Sequence, residues 1–156
     1  MPQIPVAVGD ASCLDYQTES FDIVIFSHNS LDYLYPYSKR LEALSEISRV
    51  TKKGGFFIFS SHVANVIPYS LPIIRNIITN LLMFIFQKKG YCKETMGNGN
   101  VVEYYSSSPQ DIEKEVNKNH FVVEKYSRVI NQRSSALQTY LHSLISWEVY
   151  YLCRKI

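Results

Sequence analysis

The sequence predicts an α/β fold in which helices cover a parallel sheet. Two apolar runs, Ile23–Phe26 and Phe56–Phe59, are continuous rather than alternating. Such runs are typical of strands that are buried on both faces. Between them, Pro36–Val50 carries apolar residues at helical spacing with charges in the gaps, which predicts an amphipathic helix. A strand, a helix and a second strand in this order predict a parallel crossover.

The elements of the first part of the chain follow from local signals. Ile4–Val8 is a short apolar run before a Gly-Asp pair, which predicts a strand followed by a turn. The next strand is predicted over Phe21–Ser27. Gly54-Gly55 ends the helix that precedes the Phe56–Phe59 strand, because glycine disfavours helix interiors.

The second part of the chain begins with an amphipathic segment, Ile73–Phe86, whose apolar residues fall in adjacent pairs four positions apart. It is shorter than the ~20 residues that cross a bilayer and contains Arg75. This pattern predicts a helix, and three roles stay open for it: packing on the core, covering a substrate, or resting on lipid.

The remaining elements are predicted from turn signals and apolar runs. Val101–Tyr105 and Phe121–Ile130 are predicted strands, and Trp147–Cys153 is predicted to be the terminal strand. Ser108 and Pro109 mark a helix start, because serine caps the first turn and proline suits the first helical position.

Length and composition limit the functional classes. The chain has 156 residues, 46% hydrophobic and 19% charged, and a formal net charge of +2, which indicates one globular domain. The charges are dispersed, so nucleic-acid binding is not expected. The three cysteines show neither a CxxC pair nor an even count. We therefore expect no disulfide framework, no metal site and a reducing, cytoplasmic location, and the N-terminus carries no secretory-signal pattern.

Polar residues follow three of the predicted strands directly: Gly9-Asp10-Ala11, Ser27-His28-Asn29 and Ser60-Ser61-His62. In an open parallel sheet, ligands bind beyond the carboxyl ends of the strands, so we expect these groups to share one edge. Asp10 could accept a hydrogen bond from a ligand amine or simply form a turn. His28 and His62 could accept protons near neutral pH or serve as structural histidines.

Other catalytic signatures are missing from the sequence. It contains no GxSxG elbow, no P-loop, no HExxH and no GxGxxG between a strand and a helix. The missing glycine fingerprint argues against a nicotinamide-dependent oxidoreductase.

Four motifs in order give a more specific indication. They are Gly9-Asp10-Ala11, Ser20-Phe21-Asp22, Glu46-Ile47-Ser48-Arg49-Val50 and Thr51-Lys52-Lys53-Gly54-Gly55. In this order and spacing, residues 9–62 resemble the middle of a class I S-adenosylmethionine-dependent methyltransferase of the type 11-like group, which acts on small molecules. Lys53 departs from the pattern, since the family usually has proline there, and Asn119-His120-Phe121 matches a later Ala-Gly-Phe motif only loosely.

The resemblance implies a fold and a domain boundary. The fold would be Rossmann-like, a mostly parallel sheet with helices on both faces. It would end in an antiparallel pair formed by Phe121–Ile130 and Trp147–Cys153. Residues 63–100 would be a helical lid over the substrate.

The resemblance also implies site residues. S-adenosylmethionine would be the cofactor, with Asp10 bonded to the adenine amino group and the Ala11 N–H at the ring. Ser27, His28 and Asn29 would line its sugar and methionine side, where a small, hydrophobic methyl acceptor would also approach. His28 and His62 are the candidate catalytic bases, needed only if the acceptor atom must lose a proton.

The same resemblance implies that residues 1–156 are the C-terminal portion of an N-terminally truncated methyltransferase domain. The family fold begins with a Gly-rich cofactor loop and a strand that ends in an acid, and about two strand–helix units, roughly 60 residues, would precede Gly9. One edge of the Phe21–Ser27 strand would then be open. The alternative is a non-catalytic interaction module. It would bind a second copy, another protein or a membrane surface through that edge or through Ile73–Phe86.

Overall fold

A computed structural model describes residues 3–62, 91–95, 99–128 and 148–156. These residues form a four-stranded sheet, a two-stranded hairpin, two α-helices and one 3-10 helix. The strands are β1 (Phe21–Phe26), β2 (Thr51–His62), β3 (Tyr91–Thr95), β4 (Val101–Tyr105), β5 (Phe121–Arg128) and β6 (Glu148–Lys155). The helices are α1 (Tyr37–Val50), α2 (Pro109–Lys118) and the 3-10 helix Ser30–Tyr33. The hairpin consists of β3 and β4, and the larger sheet has the order β1-β2-β6-β5.

The predicted crossover is confirmed, because β1 and β2 pair in parallel and α1 connects them. The strand β2 is longer than predicted and includes the Gly54-Gly55 pair. Gly54 has a φ of +77°, and a Cβ on Gly55 would lie 2.7 Å from the carbonyl oxygen of Asp22 in β1. The two glycines therefore let β2 begin immediately after α1 and approach β1 closely.

The antiparallel pair at the end of the sheet is also confirmed. The β5 and β6 strands run antiparallel, with Phe121 opposite Lys155, and β6 is antiparallel to β2 as well. The sheet of the described residues thus contains one parallel and two antiparallel pairings. The strand that comes last in sequence lies inside the sheet, between β2 and β5.

A buried hydrophobic core lies between the described helices and one face of the sheet. Residues of α1, α2 and the three strands β2, β5 and β6 belong to one buried cluster, which includes Leu44, Ile112, Phe57, Phe121 and Tyr151. Both described helices therefore cover the same face.

The opposite face is open at β1. Side chains of a strand alternate between faces, and here Val24 and Phe26 pack against the core while Ile23 and Ile25 are 54% and 65% exposed. Helices on both faces were expected, but no helix of the described part of the chain lies over these two isoleucines.

The predicted strand over Ile4–Val8 is wrong. Residues 3–9 have no regular secondary structure, and Ile4, Val6 and Val8 are exposed. A strand needs a neighbour to satisfy its backbone hydrogen bonds, and no strand in the described ranges pairs with this segment.

The predicted lid can be compared with the structure only at its end. Residues 63–90, including the helix predicted at Ile73–Phe86, lie outside the described residues, as do 129–147. Within the predicted boundary of 63–100, Tyr91–Thr95 is a strand rather than a helix, because it pairs in register with Val101–Tyr105. No helix among the described residues has the length and apolar character needed to cross a membrane.

Candidate functional site

The ends of β1 and β2 meet at one edge of the sheet, as expected for parallel neighbours. The Asn29 N–H donates a hydrogen bond to Ser60 Oγ at 2.9 Å. The Asn29 side-chain amide nitrogen lies 3.2 Å from Nε2 of His62. Two of the three predicted polar strand ends are thus brought together.

The turn after β1 determines which of its side chains enters this cluster. His28 and Asn29 have φ values of 57° and 53°, the left-handed region that few non-glycine residues adopt. The Ser30 N–H closes the turn on the Ser27 carbonyl at 3.2 Å. Ser27 and His28 remain exposed, whereas Asn29 turns inward and is buried.

Asp32, in the 3-10 helix, is the centre of the cluster and is fully buried. Its Oδ1 accepts from Arg40 at 2.6 Å and from the Ser61 hydroxyl at 2.8 Å. Its Oδ2 accepts from the His62 backbone N–H at 2.6 Å and lies 3.0 Å from His62 Nδ1. A carboxylate can only accept, so this contact places the proton of a neutral His62 on Nδ1.

Arg40 links Asp32 to α2. It is fully buried, and its Nε donates to Glu115 at 2.9 Å, while the Tyr37 hydroxyl donates to the other oxygen of Glu115. Burial opposes the charge of Arg40, but the carboxylates of Glu115 and Asp32 outweigh it and raise its pKa. Burial, together with the bond to Glu115, raises the pKa of Tyr37. The cluster is therefore held by an arginine that stays charged.

Two aromatic rings flank His62. The Tyr33 ring meets the imidazole edge-on, with 5.8 Å between ring centroids, and the Tyr104 ring lies at 4.5 Å with a tilt of 38°. These rings come from the 3-10 helix and from β4. The His62 side chain is 16% exposed, so part of the imidazole remains accessible beside these rings.

The third predicted strand end forms a separate turn. The Ser12 N–H and hydroxyl both donate to Asp10 Oδ1, at 2.8 and 2.7 Å, and these bonds lower the pKa of Asp10. Lys39 of α1 contacts Ser12 at 3.1 Å, and Ala11 packs against the core. Asp10 itself is exposed, and no contact described for it reaches His62. Its role at a cofactor stays a prediction.

Sequence reasoning did not identify Asp32, Arg40 or Glu115. One signal for them was available. Arg40 lies three and four positions before Ala43 and Leu44, on the buried face of α1. A charged residue on an apolar helix face indicates a buried partner. Asp32 has no comparable signal, because it lies in a turn without periodicity.

The comparisons with known proteins concern the family and the fold. Residues 1–59 match the family model described as methyltransferase domain, and no curated protein sequence matches the chain. A S-adenosylmethionine-dependent methyltransferase from Methanosarcina mazei is 14% identical, with a TM-score of 0.69 over 96% of this chain and 66% of that one. A methyltransferase from Mesorhizobium loti, described in the same way, is 13% identical, with a TM-score of 0.63 over 94% of this chain and 67% of that one.

A third structure contains bound molecules. The 1,6-didemethyltoxoflavin-N1-methyltransferase of Burkholderia thailandensis, solved with 1,6-didemethyltoxoflavin and S-adenosylhomocysteine, is 12% identical. It has a TM-score of 0.55 over 93% of this chain and 48% of that one. The chain thus spans between about half and two thirds of the length of these structures.

The family match and the structural likeness cover different lengths of the chain. The sequence match covers the segment that ends within β2, while the structural likeness extends over nearly the whole chain. Residues 1–59 therefore resemble part of a methyltransferase domain, and the fold over nearly the whole chain is similar to that of the S-adenosylmethionine-dependent methyltransferases named above.

Proposed function

We propose that this chain forms the acceptor side of an enzyme that transfers a methyl group from S-adenosylmethionine to a small molecule. The observation that carries the proposal is the cluster of Asn29, Asp32 and His62 at the carboxyl edge of β1 and β2. Ligands of open α/β sheets bind at that edge, and a buried carboxylate–imidazole pair is suited to accept a proton there.

The cofactor would be held by Asp10, Ala11, Ser27, His28 and Asn29. One feature of the structure fits a ligand at this place: Oδ1 of Asn29 is buried without a hydrogen-bond partner among the described residues. Buried polar atoms are normally paired, so a bound group with a donor would satisfy it. When bound, S-adenosylmethionine supplies a methyl group on a sulfonium that leaves readily.

The methyl acceptor is proposed to be small and partly apolar. The rings of Tyr33 and Tyr104 beside His62 offer surfaces on which a planar molecule can stack. The relative from Burkholderia thailandensis carries a bound small molecule, which supports the same class of substrate. Residues 63–100 are proposed to cover this surface, and a reducing, cytoplasmic location suits the exposed thiol of Cys13.

An NMR titration of the isotope-labelled chain with S-adenosylhomocysteine tests the cofactor site. We expect amide shifts at residues 9–12 and 27–29, saturating at millimolar rather than micromolar concentration if half of the site is missing from this chain. Asp10→Ala should weaken the effect, and Asp15→Ala, which changes an exposed acid nearby, is the matched control.

Two outcomes would count against these statements. A folded chain whose amide signals do not move at any concentration would contradict the proposed function. Micromolar binding of S-adenosylhomocysteine by residues 1–156 would agree with the proposed function. It would contradict the prediction that the cofactor site of this chain is incomplete.

A second candidate function is docking to another protein or to a second copy. The observation that favours it is the open face and edge of β1, where Ile23 and Ile25 are exposed and no described strand pairs on the outer side. Sedimentation analysis of the chain and of Ile25→Lys is the discriminating measurement. A wild-type dimer that the variant abolishes supports docking, and a monomer in both contradicts self-association.

A further inference from the structure

We propose that Asp32 is a positioning residue that presents Nε2 of His62 as the proton acceptor of the reaction. The methyl acceptor is then a compound whose reacting atom is an O–H or N–H that must lose its proton. This inference rests on the proposed function and deepens it.

Contacts with Asp32 determine which ring nitrogen of a neutral His62 carries the proton. Asp32 Oδ2 contacts both the backbone N–H and Nδ1 of His62, so the carboxylate fixes the ring and its Nδ1 proton together. Arg40 and Ser61 occupy the other oxygen, which prevents the carboxylate from turning away. The lone pair of a neutral His62 is thereby left on Nε2, the nitrogen that faces Asn29.

Asn29 marks where the reacting group would enter. Its amide nitrogen lies 3.2 Å from Nε2, at the long end of hydrogen-bond distances. Its Oδ1 is without a partner among the described residues, although Asn29 is only 9% exposed. A ligand O–H can take the place of the amide at Nε2. The amide, once released, has a donor and an acceptor with which to hold the same ligand.

Atoms and electrons balance in the proposed methyl transfer. A lone pair of the acceptor atom forms the new bond to the methyl carbon, and the carbon–sulfur pair stays on sulfur. The proton leaves the acceptor atom and binds to Nε2 of His62. The electron pair of the broken O–H or N–H bond stays on the acceptor atom. Asp32, Arg40 and Glu115 carry a net charge of −1, so protonated His62 makes the cluster neutral.

Among the described residues, the titratable and charged groups near His62 lie on the elements packed against it. Asp32 and Tyr33 face it from the 3-10 helix, and Tyr104 faces it from β4. Arg40 of α1 affects His62 through Asp32. Glu148 of β6 lies opposite His62 in the antiparallel pair of β2 and β6.

Nitrogen NMR of the histidine side chains tests the inference without turnover. In the wild-type chain, we expect His62 to show a protonated Nδ1 and a lone pair on Nε2. In Asp32→Asn, this preference should be lost. Asp22→Asn, which removes an exposed carboxylate paired with Lys52, is the matched control and should leave His62 unchanged.

The acceptor class is tested with two probes. Phenol, which carries an acidic O–H, should shift the Nε2 signal of His62, and anisole, its methyl ether, should not. In His62→Gln, phenol binding should fall roughly tenfold, the equivalent of one hydrogen bond. The His120→Gln variant, at an exposed histidine between α2 and β5, should bind phenol as the wild type does.

The tautomer of His62 in the wild-type chain tests the inference even if the Asp32→Asn variant does not fold. A proton on Nε2 of neutral His62 would overturn the inference, as would equal responses to phenol and anisole. If the S-adenosylhomocysteine titration succeeds while the tautomer is reversed, the inference fails and the proposed function survives. If that titration fails, the proposed function fails whatever the tautomer.

Discussion

Arg40 is the residue on which the geometry of the candidate site depends. Its guanidinium contacts Asp32 of the 3-10 helix and Glu115 of α2, and none of its side chain is exposed. A buried charge is tolerated only when it is paired and hydrogen-bonded. The removal of Arg40 takes the shared cation away from the carboxylates of Asp32 and Glu115.

Replacing Arg40 with Met should therefore lower the free energy of unfolding by about 3–5 kcal/mol. Lys39→Met is the matched control, because Lys39 pairs with Glu42 at the surface and such exposed pairs contribute little to stability. Urea denaturation measures the free energy of unfolding of both variants. Equal losses would show that the buried ion pairs of Arg40 stabilise the fold no more than a surface pair does.

Glu46 predicts how stability depends on pH. Hydrogen bonds from Arg49, together with the Leu14 backbone N–H, lower its pKa from 4.5 to about 2. A carboxylate with a lowered pKa stabilises the folded state above pH 4.5, and this contribution is lost as the pH falls towards 2. The stability difference between the wild type and Glu46→Gln should shrink across that window. A constant difference from pH 7 to pH 2 in denaturation experiments would contradict it.

Among the elements, β1, β2 and α1 were predicted correctly. The continuous apolar runs of β1 and β2 and the helical spacing of α1 are local patterns, so they were visible in the sequence. Ile4–Val8 shows the limit of this reasoning. It has the composition of a strand, but strand formation depends on a neighbour that the segment itself does not encode.

The junction between α1 and β2 yields a prediction at this scale. Gly55→Ala should destabilise the chain by about 1–3 kcal/mol, the usual cost of overpacking, because its Cβ would meet the Asp22 carbonyl of β1 at 2.7 Å. Gly9→Ala is the control, since a Cβ there meets nothing within 4 Å. A Gly55→Ala variant as stable as the wild type would show that β1 can shift without cost.

For the molecule as a whole, the candidate site was predicted in part. The apolar runs of β1 and β2 show where these strands end, and parallel neighbours end at the same edge of a sheet. Asn29 and His62 could therefore be named as candidate site residues from the sequence. Asp32 was missed, because its burial results from the packing of the 3-10 helix against β2, β4 and α1. Contacts between elements so far apart in the sequence cannot be recognised from the residues around Asp32.

The buried core also predicts the reactivity of the thiols. Cys153 lies fully inside the core, and burial raises the pKa of its thiol to about 12, whereas Cys13 is exposed. In the folded chain, iodoacetamide should modify Cys13 and spare Cys153, because the thiolate is the reactive form. Mass spectrometry of the peptides checks this, and Cys13→Ser removes the fast signal. Rapid labelling of Cys153 under native conditions would contradict a common core.

The position of β6 inside the sheet has a consequence for the synthesis of the protein. β2 receives its antiparallel neighbour, with Phe57 opposite Cys153, from a segment that leaves the ribosome long after β2 itself. Until then, β2 has an unpaired edge and an apolar surface, the combination that draws nascent chains into aggregates and chaperones. The sheet therefore closes only when residues 148–155 have been translated, and a ribosome stalled before them holds a chain that has not yet folded.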